Sequence, residues 1–507
     1  MITQLAGFRG LSMSPFMRKL AGTFVVSLAT IICLVVMTSV LARGLGVEQF
    51  GAFCIAKRVL AAIEPWVTIA MAISIARFVA LSQDRNERIL YLRAGFVLIS
   101  AMLTMTIAVG LLFSESISSA FFHDGVEYIE LYYALLFLIA AYSYYVLLYS
   151  YYRGIGSTLA ANTWQLILIG VGPMLLAFMF STPEDLELIV WFNGVLLAVA
   201  IVPLVRLLEL NTLGADTIVG LRTTVEKLIH YGVPRVAGSL LFGGMMAAGP
   251  IGAAQFGTLR EAGFIVIGLS ILKIFEGGIE AFGRVAMPAM AQIVDQLGKG
   301  GIRDRVADLV HLIFDLGFYL TVQSLIWSEP IVVLWLGESY SDAVLPVQIL
   351  TAVLTPYLAY VTLRSVLDAI EERAVTTSYL ILGCTAMVLV SGGCVAIGLS
   401  SSVCFSIGLA TGLLVLSCLT TIRVCDDLQI SVRKIVQYKA VAMIFGLGLI
   451  SFAFKHTIYQ NIDGTFEKII VLLLCETCLF GTYLFSLKAM KVRWMHAIRS
   501  RMKLGGG

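Results

Sequence analysis

The chain contains a succession of apolar segments, each about as long as a membrane is thick, and this pattern limits its possible folds. A helix needs about 20 apolar residues to cross the hydrocarbon core, and only helices or closed barrels satisfy their backbone hydrogen bonds in lipid. Fourteen segments reach that length: 20–42, 52–81, 89–113, 127–152, 158–180, 185–209, 234–256, 262–291, 305–327, 342–367, 375–398, 401–423, 436–454 and 467–488. We therefore predict an all-α polytopic membrane protein with about 14 transmembrane helices.

The composition supports this class and excludes others. Hydrophobic residues make up 59% of the 507 positions and charged residues only 13%, and the mean hydropathy is +0.93. A net charge of +3, spread over short loops, gives no basis for nucleic-acid binding. The sequence has no phosphate-binding GxxxxGK[ST] motif, and Cys475 and Cys478 form a lone CxxC pair without a second pair or a histidine. We expect no cofactor and no metal.

The distribution of lysine and arginine predicts the orientation. When the loops alternate sides, most of the 35 basic residues fall on the side of the N-terminus. The basic residues on the opposite side are Arg43, Arg260, Lys455 and Lys468. Because basic loops stay in the cytoplasm, we place both termini there.

Two halves of the chain share a weak internal repeat. Gly51 and Glu64 match Gly263 and Glu276, both at an offset of 212 residues. Six helices per half is an even number, so both halves enter the membrane from the same side, with an axis along the membrane normal and a site between them. We predict an N-terminal six-helix half (1–210), a linker amphipathic helix with a C-terminal six-helix half (211–430), and two extra helices with a basic tail (431–507).

The apolar segment 262–291 carries four charges on one face. Lys273, Glu276, Glu280 and Arg284 are spaced i, i+3, i+7 and i+11, so they fall within roughly 80° of one another. Each charge at mid-bilayer costs at least about 2.5 to 3.5 kcal/mol, so this stripe must face protein or a water-filled cavity. Segment 52–81 has buried charges of its own: Lys57, Arg58, Glu64 and Arg77.

Four short stretches resemble a known family. They are Leu41 to Gly51, Arg77 to Ala80, His230 to Pro234 and Pro330 to Gly337. In order and spacing they are similar to the polysaccharide (Wzx-like) branch of the MOP superfamily of multidrug, oligosaccharidyl-lipid and polysaccharide exporters. The resemblance implies a flippase of a bacterial inner membrane, which moves its substrate across the membrane without making or breaking covalent bonds. Its substrate would be a polyprenyl-diphosphate-linked oligosaccharide, and its partners would include membrane lipids, a polysaccharide polymerase and export proteins.

Such a substrate needs cations for its diphosphate. The candidates are Arg43, Lys57, Arg58, Arg77, Lys273 and Arg284. The alternatives stay open, because Lys273 with Glu276 and Glu280 with Arg284 have the spacing of structural ion pairs, and Arg77 has the position of a residue that snorkels to the interface. Glu64, Glu276 and Glu280 are candidates for proton or sodium coupling.

Aromatic residues in segments 127–152 and 158–180 are candidates for sugar contacts. Tyr142, Tyr145 and Tyr149 share one helical face, and Trp164 and Gln165 are further candidates. Ordinary packing with bonded hydroxyls is the alternative. Gly243, Gly244, Gly249 and Pro250 predict an interruption of segment 234–256, as Pro288 does for the next one.

Two other functions compete with the flippase. A cation-coupled multidrug exporter of the MATE type would need a mainly acidic or neutral cavity, whereas segments 52–81 and 262–291 carry more cations than carboxylates. A membrane-embedded polysaccharide polymerase or ligase would need a sizeable outer loop, and the longest outer connections, around 114–126 and 328–341, are short.

Overall fold

The computed structural model describes residues 15–123, 127–209, 215–277, 302–370, 375–431 and 438–489. Within these ranges every regular element is a helix, which confirms the all-α class. Eleven helices are long and apolar enough to cross a membrane, or twelve if the bent pair Glu338–Ala352 and Leu354–Leu367 forms one span. The count of fourteen stays a prediction, because the first two segments share one helix and segment 262–291 is described only to residue 277.

The first nine helices form what we call the N-terminal bundle (residues 15–209). They are α1 Pro15–Thr68, α2 Met71–Leu81, α3 Arg85–Leu112, α4 Ser114–Phe122, α5 Ile129–Gly154, α6 Thr158–Gln165, α7 Gly172–Met179, α8 Leu186–Ala198 and α9 Ile201–Glu209. A π-helical turn, Leu166–Val171, joins α6 to α7. The centre of this bundle is α5, which packs against α1, α2, α3 and α8.

Helix α1 contains the first predicted segment and most of the second. It bends at Gly46, whose φ of 79° is available to glycine without steric cost. The second segment, predicted as one helix over 52–81, is instead broken where Ile69 and Ala70 adopt positive φ. Hydropathy could not reveal this break, because apolar residues continue across it without a glycine. Each such non-glycine residue costs on the order of 1–3 kcal/mol, which the surrounding packing must offset.

The next group of helices forms the C-terminal bundle (residues 215–431). They are α10 Ala215–Phe256, α11 over residues 259–277, α12 Arg303–Leu336, α13 Val344–Ala352, α14 Leu354–Ile370, α15 Val375–Ile397 and α16 Ser401–Asp427. Helix α10 joins the predicted amphipathic linker to the seventh segment without a break. The expected interruption at Gly243 to Pro250 is therefore absent, and Pro288 lies outside the described residues.

The two bundles meet closely along the second part of α1. The Cα of Gly51 lies 3.2 Å from where a Cβ on Gly263 would stand, and these two glycines are equivalent in the sequence repeat. Such a contact between equivalent residues is what an axis along the membrane normal produces. This contact lies at the end of the molecule that the basic residues predict to be outside, which we call the outer end.

Hydrogen bonds also join the two bundles at the outer end, and together with the glycine contact we call them the outer seal. The first part of α1 and the end of α12 exchange three of them: Ser39 Oγ donates to the Trp335 carbonyl at 2.5 Å, Trp335 Nε1 to the Val35 carbonyl at 2.9 Å, and Arg43 to the Leu334 carbonyl at 2.6 Å. The buried Tyr340 hydroxyl, just after α12, donates to the Ala42 carbonyl at 2.7 Å. Separating the bundles here would break all four bonds.

Two further helices, α17 Tyr438–Thr457 and α18 Thr465–Ala489, pack on the outside of α12. Polar side chains anchor them as well as apolar ones. Trp327 Nε1 donates to Ser451 Oγ at 2.8 Å, and the fully buried Tyr483 hydroxyl donates to the Asp315 carbonyl at 2.7 Å. Hydrogen bonds between helices give membrane proteins a specific packing that apolar contact alone does not.

Candidate functional site

Two cavities lie against different faces of the second part of α1. The first, of about 330 Å³, lies inside the N-terminal bundle and we call it the N cavity. The second, of about 210 Å³, lies between the two bundles and we call it the central cavity. Ala61 lines both of them. The second part of α1 therefore borders both cavities.

Three cations from three different helices line the central cavity. They are Arg58 of α1, Lys273 of α11 and Arg364 of α14. The other lining residues are Ala61, Pro65, Ser239, Phe242, Gly243 and Met246, so the described lining contains no carboxylate. The predicted charges Arg58 and Lys273 are thus brought together, although they are far apart in the chain. This arrangement suits an anion.

One carboxylate lies beside this cavity and is held by two neighbours. Lys273 Nζ lies 2.7 Å from a Glu276 oxygen, and the Tyr357 hydroxyl donates to the same carboxylate. The Glu276 side chain is only 13% exposed, whereas that of Lys273 is 43% exposed. Glu276 is therefore held against the protein while the Lys273 ammonium reaches the cavity. The ion pair between Lys273 and Glu276 that the sequence spacing suggested is present, and Lys273 still lines the central cavity.

Among the described residues that line it, the N cavity has one cation and one carboxylate in a mainly apolar lining. Lys57 and Glu64 both face it, as expected for residues two helical turns apart, together with Tyr142 and Asn193. Within the described residues Glu64 has no ion pair within 4.0 Å, and it accepts a 3.0 Å hydrogen bond from Thr68 Oγ1. Glu64 therefore lies beside the N cavity with no basic partner among the described residues.

Only one of the predicted sugar contacts reaches either cavity. Tyr142 lines the N cavity, while Tyr145 is 4% exposed and stacks on Tyr149 with the ring centroids 5.8 Å apart. The Tyr149 hydroxyl donates to Gln165 Oε1 at 3.2 Å, and Trp164 packs against the hydrophobic core. These four residues make packing contacts and line neither cavity, and their role in sugar binding stays a prediction.

The remaining predicted residues lie at the ends of the molecule or outside the described part. Arg43 is exposed at the outer end, where it holds the Leu334 carbonyl, and it lines neither cavity. Arg77 lies on α2 at the opposite end, where its Nη1 donates to the Tyr231 hydroxyl at 2.9 Å. Glu280 and Arg284 lie outside the described residues, so their roles stay predictions.

Sequence reasoning missed two residues of the cavities. Arg364 lies within the predicted segment 342–367, three residues before its end. A charged residue within a predicted transmembrane segment was the signal that could have identified it as a cavity residue. Asn193, in the apolar segment 185–209, gave the same kind of signal for the N cavity.

Comparison with known proteins identifies the fold. No protein-family model and no curated protein sequence matches the chain. Among solved structures it is similar to the lipid II flippase MurJ in an inward closed conformation, with a TM-score of 0.62 and 12% identity, over 94% of this chain and 99% of the other.

It is also similar to an inward-facing multidrug resistance MATE family transporter of the MOP superfamily, with a TM-score of 0.64 and 13% identity, over 80% of this chain and 98% of the other. A second MATE structure, in a complex, has a TM-score of 0.50 at 12% identity, over 82% and 97%. The chain therefore has the fold that MurJ and MATE transporters share.

Proposed function

We propose that the chain is a membrane transporter that moves a polyprenyl-diphosphate-linked oligosaccharide from the inner to the outer leaflet of a bacterial inner membrane. The observation that carries this proposal is the lining of the central cavity by Arg58, Lys273 and Arg364. These cations come from both bundles, so a bound anion contacts both sides of the interface that alternating access must rearrange.

The charge of the cavity selects the class of substrate. Moving a diphosphate through the membrane interior requires that its charge be compensated where water is scarce. Two guanidinium groups offer paired N–H donors to phosphate oxygens, and the lysine adds a compact point charge. An uncharged sugar or a cationic drug would bring no negative charge to these three cations.

The size of the cavity supports binding of one part of the proposed substrate. Ligand pockets for drug-sized molecules measure about 300–1,000 Å³, whereas the central cavity measures about 210 Å³. It accommodates a diphosphate group and excludes an oligosaccharide. The sugars would therefore require the bundles to separate, which is the motion that the proposal already contains.

The comparisons support this proposal at the level of the fold. One of the similar structures is titled a lipid II flippase and another a multidrug resistance transporter. The second title gives the alternative function, a cation-coupled drug exporter. Glu64 in the N cavity favours coupling to a cation, but the three cations of the central cavity disfavour a cationic substrate. We therefore combine the flippase proposal with coupling through the N cavity.

The test is transport by the purified protein in liposomes, with a fluorescent lipid-diphosphate sugar as substrate. Arg58→Gln, Lys273→Gln and Arg364→Gln should each slow flipping about 10- to 150-fold, because each removes a charge-assisted contact of about 1.5–3 kcal/mol. The control is Arg222→Gln, which removes an exposed arginine from an ion pair on α10 with Glu226. Three variants that all flip at the parent rate would refute the proposal.

Location and partners follow from the proposed substrate. We place both termini in the cytoplasm and expect membrane lipids, a polysaccharide polymerase and export proteins as neighbours. Loss of surface polysaccharide in cells that carry Lys273→Gln, with normal protein levels, would support a role beside polysaccharide polymerase and export proteins. Unchanged surface polysaccharide would contradict it.

A further inference from the structure

At the end opposite the outer end, two guanidinium groups contact the same tyrosine ring. The Cζ of Arg235 lies 3.7 Å from the centroid of the Tyr231 ring, and the Cζ of Arg77 lies 4.9 Å from it. Phe78 contacts the same ring edge-on at 5.4 Å. Both arginines are exposed. We call Arg77 and Arg235 the inner arginine pair.

The inner arginine pair is held in place while most of its donors remain available. Arg77 Nη1 donates to the Tyr231 hydroxyl at 2.9 Å, and Arg235 Nη1 donates to the Tyr231 carbonyl at 2.7 Å. Each guanidinium carries five N–H donors. In the described part of the chain no carboxylate lies within 4.0 Å of either arginine. Two neighbouring like charges without a counter-charge favour the binding of an anion.

The position of Arg235 connects the pair to the central cavity. Arg235, Ser239, Phe242 and Met246 are spaced i, i+4, i+7 and i+11 on α10, so they share one face of that helix. Ser239, Phe242 and Met246 line the central cavity. Arg235 therefore lies one helical turn, about 6 Å, beyond the lining. The inner arginine pair is at the mouth of the cavity.

We propose that Arg77 and Arg235 bind the phosphate of a lipid headgroup at this mouth before it reaches Arg58, Lys273 and Arg364. The planar guanidinium groups suit the oxygens of a phosphate or diphosphate ester. Arg77 belongs to the N-terminal bundle and Arg235 to the C-terminal bundle, so a phosphate held by both joins the bundles at this end. This inference rests on the proposed function and adds a second, separate binding site to it.

The experiment isolates the mouth from the cavity. The parent for the measurement is the full chain with Arg58→Gln, Lys273→Gln and Arg364→Gln, in phosphatidylcholine nanodiscs, and the probe is farnesyl diphosphate. This parent should bind the probe, and adding Arg77→Gln with Arg235→Gln should weaken binding about 10- to 100-fold. Arg222→Gln on the same helix is the matched control and should bind like the parent.

Two further arms test the geometry and the source of the phosphate. Arg77→Lys with Arg235→Lys keeps both charges and the fold, and should lose at least half of the effect because lysine cannot give paired donors. Inorganic pyrophosphate should bind more weakly than farnesyl diphosphate. Equal binding of the two probes would assign the site to free phosphate and overturn its role as a lipid site.

The outcomes separate this inference from the proposed function. If the variant without both arginines binds farnesyl diphosphate like its parent, the mouth site is refuted while the central cavity is untouched. If the loss of the three central cations leaves flipping unchanged while the inner arginine pair still binds, the proposed function falls and the mouth site stands.

Discussion

Gly51 lies where α1 and α11 approach each other at the outer end, and replacing it with alanine should force the two bundles apart there. A Cβ on Gly51 would stand 2.0 Å from the carbonyl oxygen of Leu259 and 2.6 Å from its carbonyl carbon. Both atoms belong to the backbone of the other bundle, so no side-chain rotation can relieve the clash. Only movement of one bundle relative to the other can do so.

The magnitude follows from the cost of an overfilled contact. An added methyl group in a well-packed site costs about 1–3 kcal/mol. A state in which the bundles are separated at the outer end avoids this cost, because Gly51 and Leu259 are then no longer in contact. The ratio of outward-open to outward-closed molecules should therefore rise about 5- to 150-fold in Gly51→Ala.

Cysteine labelling in intact cells measures this ratio. Ser239→Cys places a thiol in the central cavity, and a membrane-impermeant maleimide added outside reaches it only when the outer end opens. Labelling of the chain without Ser239→Cys gives the background from the native cysteines. The labelling rate at position 239 should increase in proportion to the open population, by the same factor.

Gly44→Ala is the matched control. A Cβ there would lie 2.0 Å from the Ser181 carbonyl oxygen, which is an equally severe clash, but Ser181 belongs to the same bundle as Gly44. This variant should lose stability without gaining outside access. Equal labelling of Gly51→Ala and Gly44→Ala, or no gain in folded Gly51→Ala, would refute the assignment of this contact to an outer seal.

Other predictions concern coupling and packing. Glu64→Gln should make transport insensitive to the pH gradient, because this carboxylate faces the N cavity without an ion pair in the described residues. Glu276 is paired with Lys273, so Glu276→Gln should leave transport sensitive to the gradient. Sensitivity lost in Glu276→Gln and kept in Glu64→Gln would assign the coupling to Glu276 instead. Tyr483→Phe removes a buried hydrogen bond and should cost about 0.5–1.5 kcal/mol of stability, measured by thermal unfolding. The control Tyr438→Phe, at a 77% exposed position, should cost almost nothing. Equal losses in the two variants would contradict the contribution of the Tyr483 hydrogen bond.

The sequence was informative wherever helical periodicity alone decides the outcome. Lys57 and Glu64 face one cavity because residues seven positions apart on a helix share a side. Periodicity does not say which helix lies opposite. The sequence therefore gives Lys57 and Arg58 as one set of cations. Neighbouring residues on a helix point about 100° apart, however, and these two face different cavities.

Tertiary contacts explain the other differences between the sequence-based predictions and the structure. Tyr145 and Tyr149 have the same helical period as Tyr142, but neighbouring rings and Gln165 cover them. Arg364 could be identified as a cavity residue only from the fold, which brings α14 and the second part of α1 to the same cavity. The break at Ile69 is likewise invisible in a measure that counts only apolarity.

The shared position of Ala61 makes α1 a point of thermodynamic linkage. Its second part borders the N cavity on one side and the central cavity on the other, so a shift of this helix changes both volumes at once. Linkage is reciprocal: whatever factor a bound diphosphate applies to proton affinity on the Glu64 side, protonation must apply to diphosphate affinity on the Arg58 side. Diphosphate affinity measured against pH, in parent and Glu64→Gln protein, therefore reads the coupling between the two cavities directly, without any transport assay.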